Sequence, residues 1–417
     1  MPRVAITGLG FVTSIGNDRA TVTENLKGLK HGIELTDEFL EKDPVHVLGT
    51  IKGFDTRSMD VEDWTYPSEY KIRREHLRSM SPHVIYAHCA LEQAIADAGL
   101  TEEEVSNRDT GMFTASAGSA RGMHNNIQRM NEVGVNRVSP MAVVSSVVGA
   151  LSFNLVASFK IQGSSCGFAS ACASSGHGAG FAYDEIMLGR QKRMFVVGAE
   201  DGNRETILPF AGMRALSLTK DPDMASRPFD AERNGFVGTG GGVVMVLEEL
   251  ETAKARGAKI YAEMIGWGQS SDGYNVAISH PEGYGLAESM RRAMACAQIN
   301  ESDVDYVNAH ATSTSIGDLS EVKALQKAFP NHTPMVSSTK ALTGHGLSLA
   351  SVMEAGFTAI SLAEDFTIGS ANITTVDPKI EGVEIITENR DKAPNIALKN
   401  SSGFGGANVT LALKRYV

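Results

Sequence analysis

Only four cysteines occur in 417 residues (Cys89, Cys166, Cys172 and Cys296), and no two of them form a CxxC pair. That scarcity argues against a disulfide framework or a zinc ribbon and fits a reducing, cytoplasmic setting. HxH and HExxH spacings are missing too, so no metal site is expected. No apolar run approaches the roughly 18 residues of a membrane span. The first residues, MPRVAITGLGFV, are a short apolar run broken by glycine, with no cleavage pattern behind it. They read as the first strand of a soluble protein. Sustained basic blocks are also lacking: 38 Lys and Arg face 49 Asp and Glu, a formal charge of −11, which argues against nucleic acid as the main ligand. The exception is KIRREHLR at 71–78, where Lys71, Arg73, Arg74 and Arg78 could steer an acidic partner or simply form a solvated helix face.

What is present is an ordinary globular composition, 42% hydrophobic and 21% charged, in a chain long enough for two domains or one large duplicated unit. Helical patterns at 82–98 and 284–299 alternate with β-branched runs at 194–200, 243–249, 304–310 and 408–413. AIADAGLTEEEV (94–105) and AMACAQINESDV (293–304) agree at five of twelve positions, each closing a helix, making an acidic turn and entering a strand. The echo suggests two related halves, 1–250 and 251–417, meeting near the charged stretch 248–259. Two glycine clusters fit a dinucleotide loop poorly. GLGFVT (8–13) follows a strand but lacks the third glycine, and GTGGGVV (238–244) runs into a strand instead of a helix.

SACASSGH (170–177) crowds small residues around Cys172 ahead of a helical run. A cysteine starting that helix would have its thiolate favoured by free first-turn N–H groups and the dipole, and small neighbours would admit a bulky substrate. A buried structural cysteine at a tight helix start is the competing reading. Downstream, NAHATSTSIGD (308–318) puts His310 at a strand end, STKALTGHG (338–346) supplies Lys340 and His345, Glu354 lies on the helix that follows, and SSGFGGAN (401–408) is a glycine loop around Phe404. One thiol, two loop histidines, a lysine and a flexible loop point to acyl chemistry with Cys172 as nucleophile.

These motifs, together with VAITGLGFVTSIG and ASRPFDAERNGFV, resemble in order and spacing the elongating β-ketoacyl-acyl-carrier-protein synthases of types I and II, over nearly the whole chain. The resemblance implies a duplicated α/β thiolase-like fold, two related βαβαβ halves layered α-β-α-β-α, with the nucleophile in 1–250 and the histidines and lysine in 251–417. It implies that Cys172 takes an acyl group from a carrier-protein thioester. His310 and His345 would assist malonyl decarboxylation, and the Cys172 and Phe404 amides would form the oxyanion hole. Lys340, balanced by Glu354, would support the histidines, while Thr312 and Thr314 would bind the pantetheine arm. The implied partner is acyl carrier protein, and the basic run Lys71, Arg73, Arg74 and Arg78 is the surface expected to contact so acidic a partner. The same resemblance implies no metal or organic cofactor and a homodimer, with a heterodimer alongside a chain-length-factor subunit as the alternative. The family commonly has threonine at Ser174, glycine at Ala311, threonine at Ala407 and a gating phenylalanine at Ser402. The last departure leaves chain-length preference and pathway open, fatty-acid or polyketide and polyene. Two other functions compete: a non-condensing chain-length partner, which would have lost the nucleophile, and a degradative thiolase, which would carry a second cysteine near its C-terminus.

Overall fold

Two sets of five strands, one from each half of the chain, follow one plan in the computed structural model, which describes residues 2–417. The first set is β1 (Val4–Val12), β2 (Thr110–Ala115), β3 (Ser165–Phe168), β4 (Arg193–Glu200) and β5 (Gly241–Glu249). The second is β6 (Ala262–Ser271), β7 (Tyr306–Asn308), β8 (Met335–Ser337), β9 (Ile396–Gly403) and β10 (Ala407–Arg415). Read outward from the middle of the sheet, the first half runs β1-β5-β4-β2-β3 and the second β6-β10-β9-β7-β8, so the order repeats. Strand directions repeat as well: antiparallel, antiparallel, parallel, parallel in both halves. A short antiparallel contact, Val4 opposite Met264 to Ile6 opposite Ala262, joins the two.

The helices repeat too. Between matching strands lie α1 (Pro82–Ala98), α2 (Ala150–Phe159) and α3 (Ser174–Met187) in the first half, and α4 (Tyr284–Ala297), α5 (Ser315–Ala328) and α6 (Ala350–Ala363) in the second. α1 and α2 cover one outer face, α4 and α5 the other, and α3 and α6 form the middle layer. α6 is buried along nearly its whole length, as its run of Ala, Val, Met, Phe and Ile requires. α3 fits beside it because glycines remove the bulk: a Cβ on Gly176 would lie 2.6 Å from Ser351 Oγ, and one on Gly180 2.1 Å from the Trp267 ring.

The internal echo marks equivalent places. α1 closes at Gly99 (φ +65°) and α4 at Gln298 (φ +56°), and each is followed by a capping box, Thr101 with Glu104 and Asn300 with Asp303. Three local expectations need correction. GLGFVT lies mostly inside β1 instead of after a strand, so it forms no phosphate loop. The strand expected over 304–310 is confined to Tyr306–Asn308, which leaves His310 in the loop beyond it. KIRREHLR yields one helical turn, Arg74–Leu77, with Ile72 and Leu77 turned inward.

Candidate active site

Cys172 sits in the connection from β3 to α3, where three short-range features fix its backbone. Ala171 adopts φ +51°, a left-handed conformation that turns the chain sharply. Ser174 Oγ accepts from the Ser170 amide at 2.8 Å and donates to the Ala171 carbonyl at 2.6 Å. Ser170 Oγ also contacts His177 Nδ1 at 2.7 Å, which makes that histidine a brace of the turn. The helix begins at Ser174, two residues beyond the cysteine. Cys172 is buried, and desolvation pushes its thiol up to about 12 against the opposing pull of Lys340. Removal from water thus works against the helix-stabilised thiolate that the sequence suggests, and outweighs the nearby positive charge.

His345 Nε2 lies 3.0 Å from Cys172 Sγ. It comes from the connection between β8 and α6, where its amide donates to Val237 O at 2.7 Å and its carbonyl accepts from Thr239 at 3.1 Å. Phe236 packs edge-on against its ring at 5.3 Å, and His310 does the same at 5.3 Å from the third side. His310 follows β7 and is tethered by Glu321 of α5, which accepts from the His310 amide at 3.0 Å and the Ala311 amide at 2.7 Å. Burial, followed by Lys340, holds both imidazoles well below the usual histidine range. Both rings are neutral at physiological pH.

Behind the histidines is a buried charge cluster. Glu354 of α6 lies between two lysines, with Lys340 Nζ 2.6 Å from one carboxylate oxygen and Lys399 Nζ 2.7 Å from the other. By distance these are ion pairs, but the angles are poor for hydrogen bonding, and Lys340 Nζ has no hydrogen-bond partner among the described residues. Asn400 joins the cluster to the histidine loop by donating to Glu321 at 3.0 Å.

In front is a cavity of about 320 Å³ lined by Cys172, His310, His345, Thr312, Thr314 and Phe404, among others. Thr312 and Thr314 hydroxyls meet at 3.1 Å on its wall. Gly403 is needed where β9 passes the nucleophile: a Cβ there would stand 3.0 Å from Cys172 N and 2.8 Å from Ser170 O. The approach brings the Phe404 segment alongside the Cys172 amide. Ser402 bonds Asn408 at 2.7 Å and also lines the cavity, while Phe404 packs 5.8 Å from Phe210.

Sequence reasoning thus named most of the residues that meet here, but missed Glu321, Phe236 and Lys399. A lysine inside the otherwise apolar IALK segment was the one available signal for the last. The basic run does not reach the cavity. Arg74 and Arg78 hold Glu62 at 2.5 Å and 3.3 Å, and Arg73 holds Glu75 at 3.2 Å, so Lys71 alone of the four makes no ion pair among the described residues.

Residues 1–253 match the model of the β-ketoacyl synthase N-terminal domain and residues 261–374 that of the C-terminal domain. The chain belongs to the β-ketoacyl synthase family. Among its relatives, the 3-oxoacyl-[acyl-carrier-protein] synthase 1 of Haemophilus influenzae is 42% identical, with both chains covered completely. The Escherichia coli K12 protein of the same name is 38% identical over all of this chain and 99% of its own. A β-ketoacyl synthase structure from Burkholderia phymatum superposes with a TM-score of 0.91 at 30% identity, again over the full length of both. The break between the two family models, after 253 and before 261, falls at the helix Leu250–Ala255 and the turn that ends it, where the two halves of the fold meet.

Proposed function

We propose that the protein is an acyltransferase of the condensing type, a β-ketoacyl-acyl-carrier-protein synthase that elongates an acyl chain held on Cys172 with two carbons from a malonyl thioester. The observation that carries this reading is the meeting of Cys172, His345 and His310 on one cavity in a family member.

In the first half-reaction the Cys172 sulfur attacks the acyl thioester carbonyl. Its proton passes to His345 Nε2, which lies 3.0 Å away, and from there to the departing pantetheine sulfur as the old carbon–sulfur bond breaks. The Cys172 and Phe404 amides serve the tetrahedral oxyanion. In the second, malonyl loses carbon dioxide and the electron pair of the broken carbon–carbon bond forms an enolate. Neutral imidazole N–H groups donate to its oxygen, from His310 and from His345 once its proton has exchanged from Nδ1 to Nε2. The enolate carbon attacks the acyl carbonyl, Cys172 leaves as thiolate, and a proton from solvent restores the thiol. Lys340 holds positive charge near the histidines, and Thr312 and Thr314 bind the pantetheine arm. The chemistry needs no metal or organic cofactor, since loss of carbon dioxide drives it.

The substrates come on acyl carrier protein, with Lys71 and its arginine neighbours as the docking patch, in the cytoplasm. The site retains its thiol and both histidines, which favours a condensing enzyme over a chain-length partner. The homodimer reading is supported by β3, an edge strand of sequence SCGF whose outer side is unpaired among the described residues, and by exposed Phe153 on the helix α2 that packs against it.

Incubation with acyl carriers of graded length, followed by intact-mass and peptide mapping, tests the core of the reading. One acyl group on Cys172 is expected, none on exposed Cys166, and no condensation by Cys172→Ala. Acylation of Cys166 or a condensing Cys172→Ala would sink it.

A further inference from the structure

Lys399 is a lysine with no exposed surface, on a strand whose other buried residues are all uncharged. Burying an ammonium is costly unless its charge is used or matched. Its partner, Glu354, is already within 2.6 Å of Lys340, so Lys399 is not needed to neutralise that carboxylate. Two ammonium groups share one carboxylate, and the second lies 2.7 Å from the far oxygen. The groups that face Lys399 come from every element packed on it. They are Glu354 on α6, Lys340 before it, Glu321 on α5 and the two imidazoles, whose protonation both lysines oppose. Lys399 also donates to the Asn400 carbonyl and, at 3.3 Å, to Ser401 Oγ. Those bonds anchor it to the strand that runs on into Gly403 and Phe404.

We propose that Lys399 is a positioning residue of the condensation step: by holding one oxygen of Glu354 it prevents that carboxylate from cancelling Lys340, leaving one more positive charge behind His310 and His345 than Lys340 and Glu354 alone provide. The enolate that forms in front of the histidines is negative, so a fixed positive charge behind them lowers the barrier to decarboxylation. Acyl transfer to Cys172 begins and ends with neutral thioesters and depends on the charge less. The pH behaviour follows. Burial pulls the Lys399 ammonium down to about 8, while Glu354 opposes the shift. Decarboxylation therefore loses its support as pH rises through that value.

The proposal rests on the assignment of His310 and His345 to the enolate, and the experiment separates the two. Carbon dioxide release from malonyl-carrier and acyl transfer to Cys172 are measured side by side, from pH 6 to 9, for wild type, Lys399→Met, Lys399→Met/Glu354→Gln and His310→Ala. Lys399→Met, close in volume but uncharged, is expected to lower kcat for decarboxylation about tenfold or more, with KM and acyl transfer changed far less. It should also lose the decline above pH 8. The double variant removes one negative charge along with the positive one and so restores the wild-type net charge; it is expected to recover most of the decarboxylation rate. A merely structural lysine gives no such recovery. Should the single variant fail to fold, the double variant carries the test through its rate relative to wild type. Equal loss in both half-reactions, or no recovery in the double variant, overturns the role of Lys399. If His310→Ala still releases carbon dioxide at the wild-type rate, the histidine assignment itself falls, however Lys399 behaves.

Discussion

The two halves of the molecule share a strand order and differ in what hangs from it. In each half the connection from the third strand to the central helix reaches the middle of the molecule. The first half places Cys172 there and the second His345, and the two side chains meet at 3.0 Å. After the second strand, the second half has a short loop with His310, Thr312 and Thr314, while the first has a long excursion that includes the helix Ala120–Val133, none of whose residues is buried. After the fourth strand the second half turns through Phe404–Gly406, and the first sends out residues 201–240 with Phe210 and Phe236. The interiors differ as well. Lys340, Glu354, Lys399 and Glu321 all lie in the second half, whereas the first half meets the centre with small residues on α3. Duplication supplied a symmetric frame, and divergence at equivalent loop positions put the nucleophile on one side and its proton handling on the other.

The sharpest way to break this division is to remove one histidine at a time. His345 touches the sulfur across the pseudo-symmetric junction, whereas the His310 ring packs on His345 and lines the cavity. His345→Ala is therefore expected to slow both half-reactions. His310→Ala should lose decarboxylation by about 10²- to 10³-fold, the usual effect of a missing preorganised donor, while keeping most of its acyl transfer. Single-turnover acylation followed by mass, alongside carbon dioxide release, distinguishes them. Identical profiles for the two variants would show that the structural asymmetry has no chemical counterpart.

The duplicated frame was legible in the sequence because its signals are local. The AIADAGLTEEEV echo works through capping boxes and left-handed helix ends, which neighbouring residues dictate, and the buried strands at 194–200 and 243–249 reveal themselves by β-branched runs. The site was legible only where a motif carries it. Cys172, His310, Lys340 and His345 stand in recognisable stretches. Glu321 and Lys399 do not, because their roles arise from contacts between elements far apart in the chain, such as Lys399 on β9 meeting Glu354 on α6. The upward push on the Cys172 thiol is not legible in the sequence for a related reason. Helix position is local, but the desolvation that decides the thiol comes from the packing of both halves around it.

A smaller effect is expected at the surface of the first half. Arg74 and Arg78 are already engaged by Glu62, so reversing them would disturb local structure as well as charge. Lys71, which makes no ion pair among the described residues, and Arg73, held only by its close sequence neighbours Glu75 and His76, are the cleaner pair. Lys71→Glu/Arg73→Glu is expected to raise KM for carrier-bound substrate severalfold at low salt, to leave kcat unchanged and to flatten the salt dependence. Unchanged kinetics at low ionic strength would return the run to a solvated face and leave the chemistry of the two loops as it stands.

The smallest expected effect compares the two buried glutamates whose charges act on Cys172, one from each half. Glu354, in the second half, lies between two lysines; Glu200, the last residue of β4 in the first, makes no ion pair among the described residues. Glu200 accepts from the Ala117 amide at 3.1 Å and from Ser348, and its other oxygen is buried without a partner. Burial pushes its carboxyl up to about 7, against the Ser348 hydrogen bond. In the unfolded chain the group titrates at roughly 4.3. Below that value both states are protonated and the contribution of Glu200 to stability is complete. As pH rises from there to about 7 the unfolded chain releases the proton while the folded protein retains it, so stability is lost. Glu200→Gln keeps the shape and one acceptor but removes the titration. The melting temperature of the variant relative to wild type is therefore expected to rise between pH 5 and pH 8, by a few degrees for a chain of this size. Asp318, His310 and His345 also titrate abnormally, but they are common to both proteins and cancel in the difference. A difference that stays flat with pH would mean that Glu200 is ionised throughout, and that the first half, like the second, holds a stabilised buried charge.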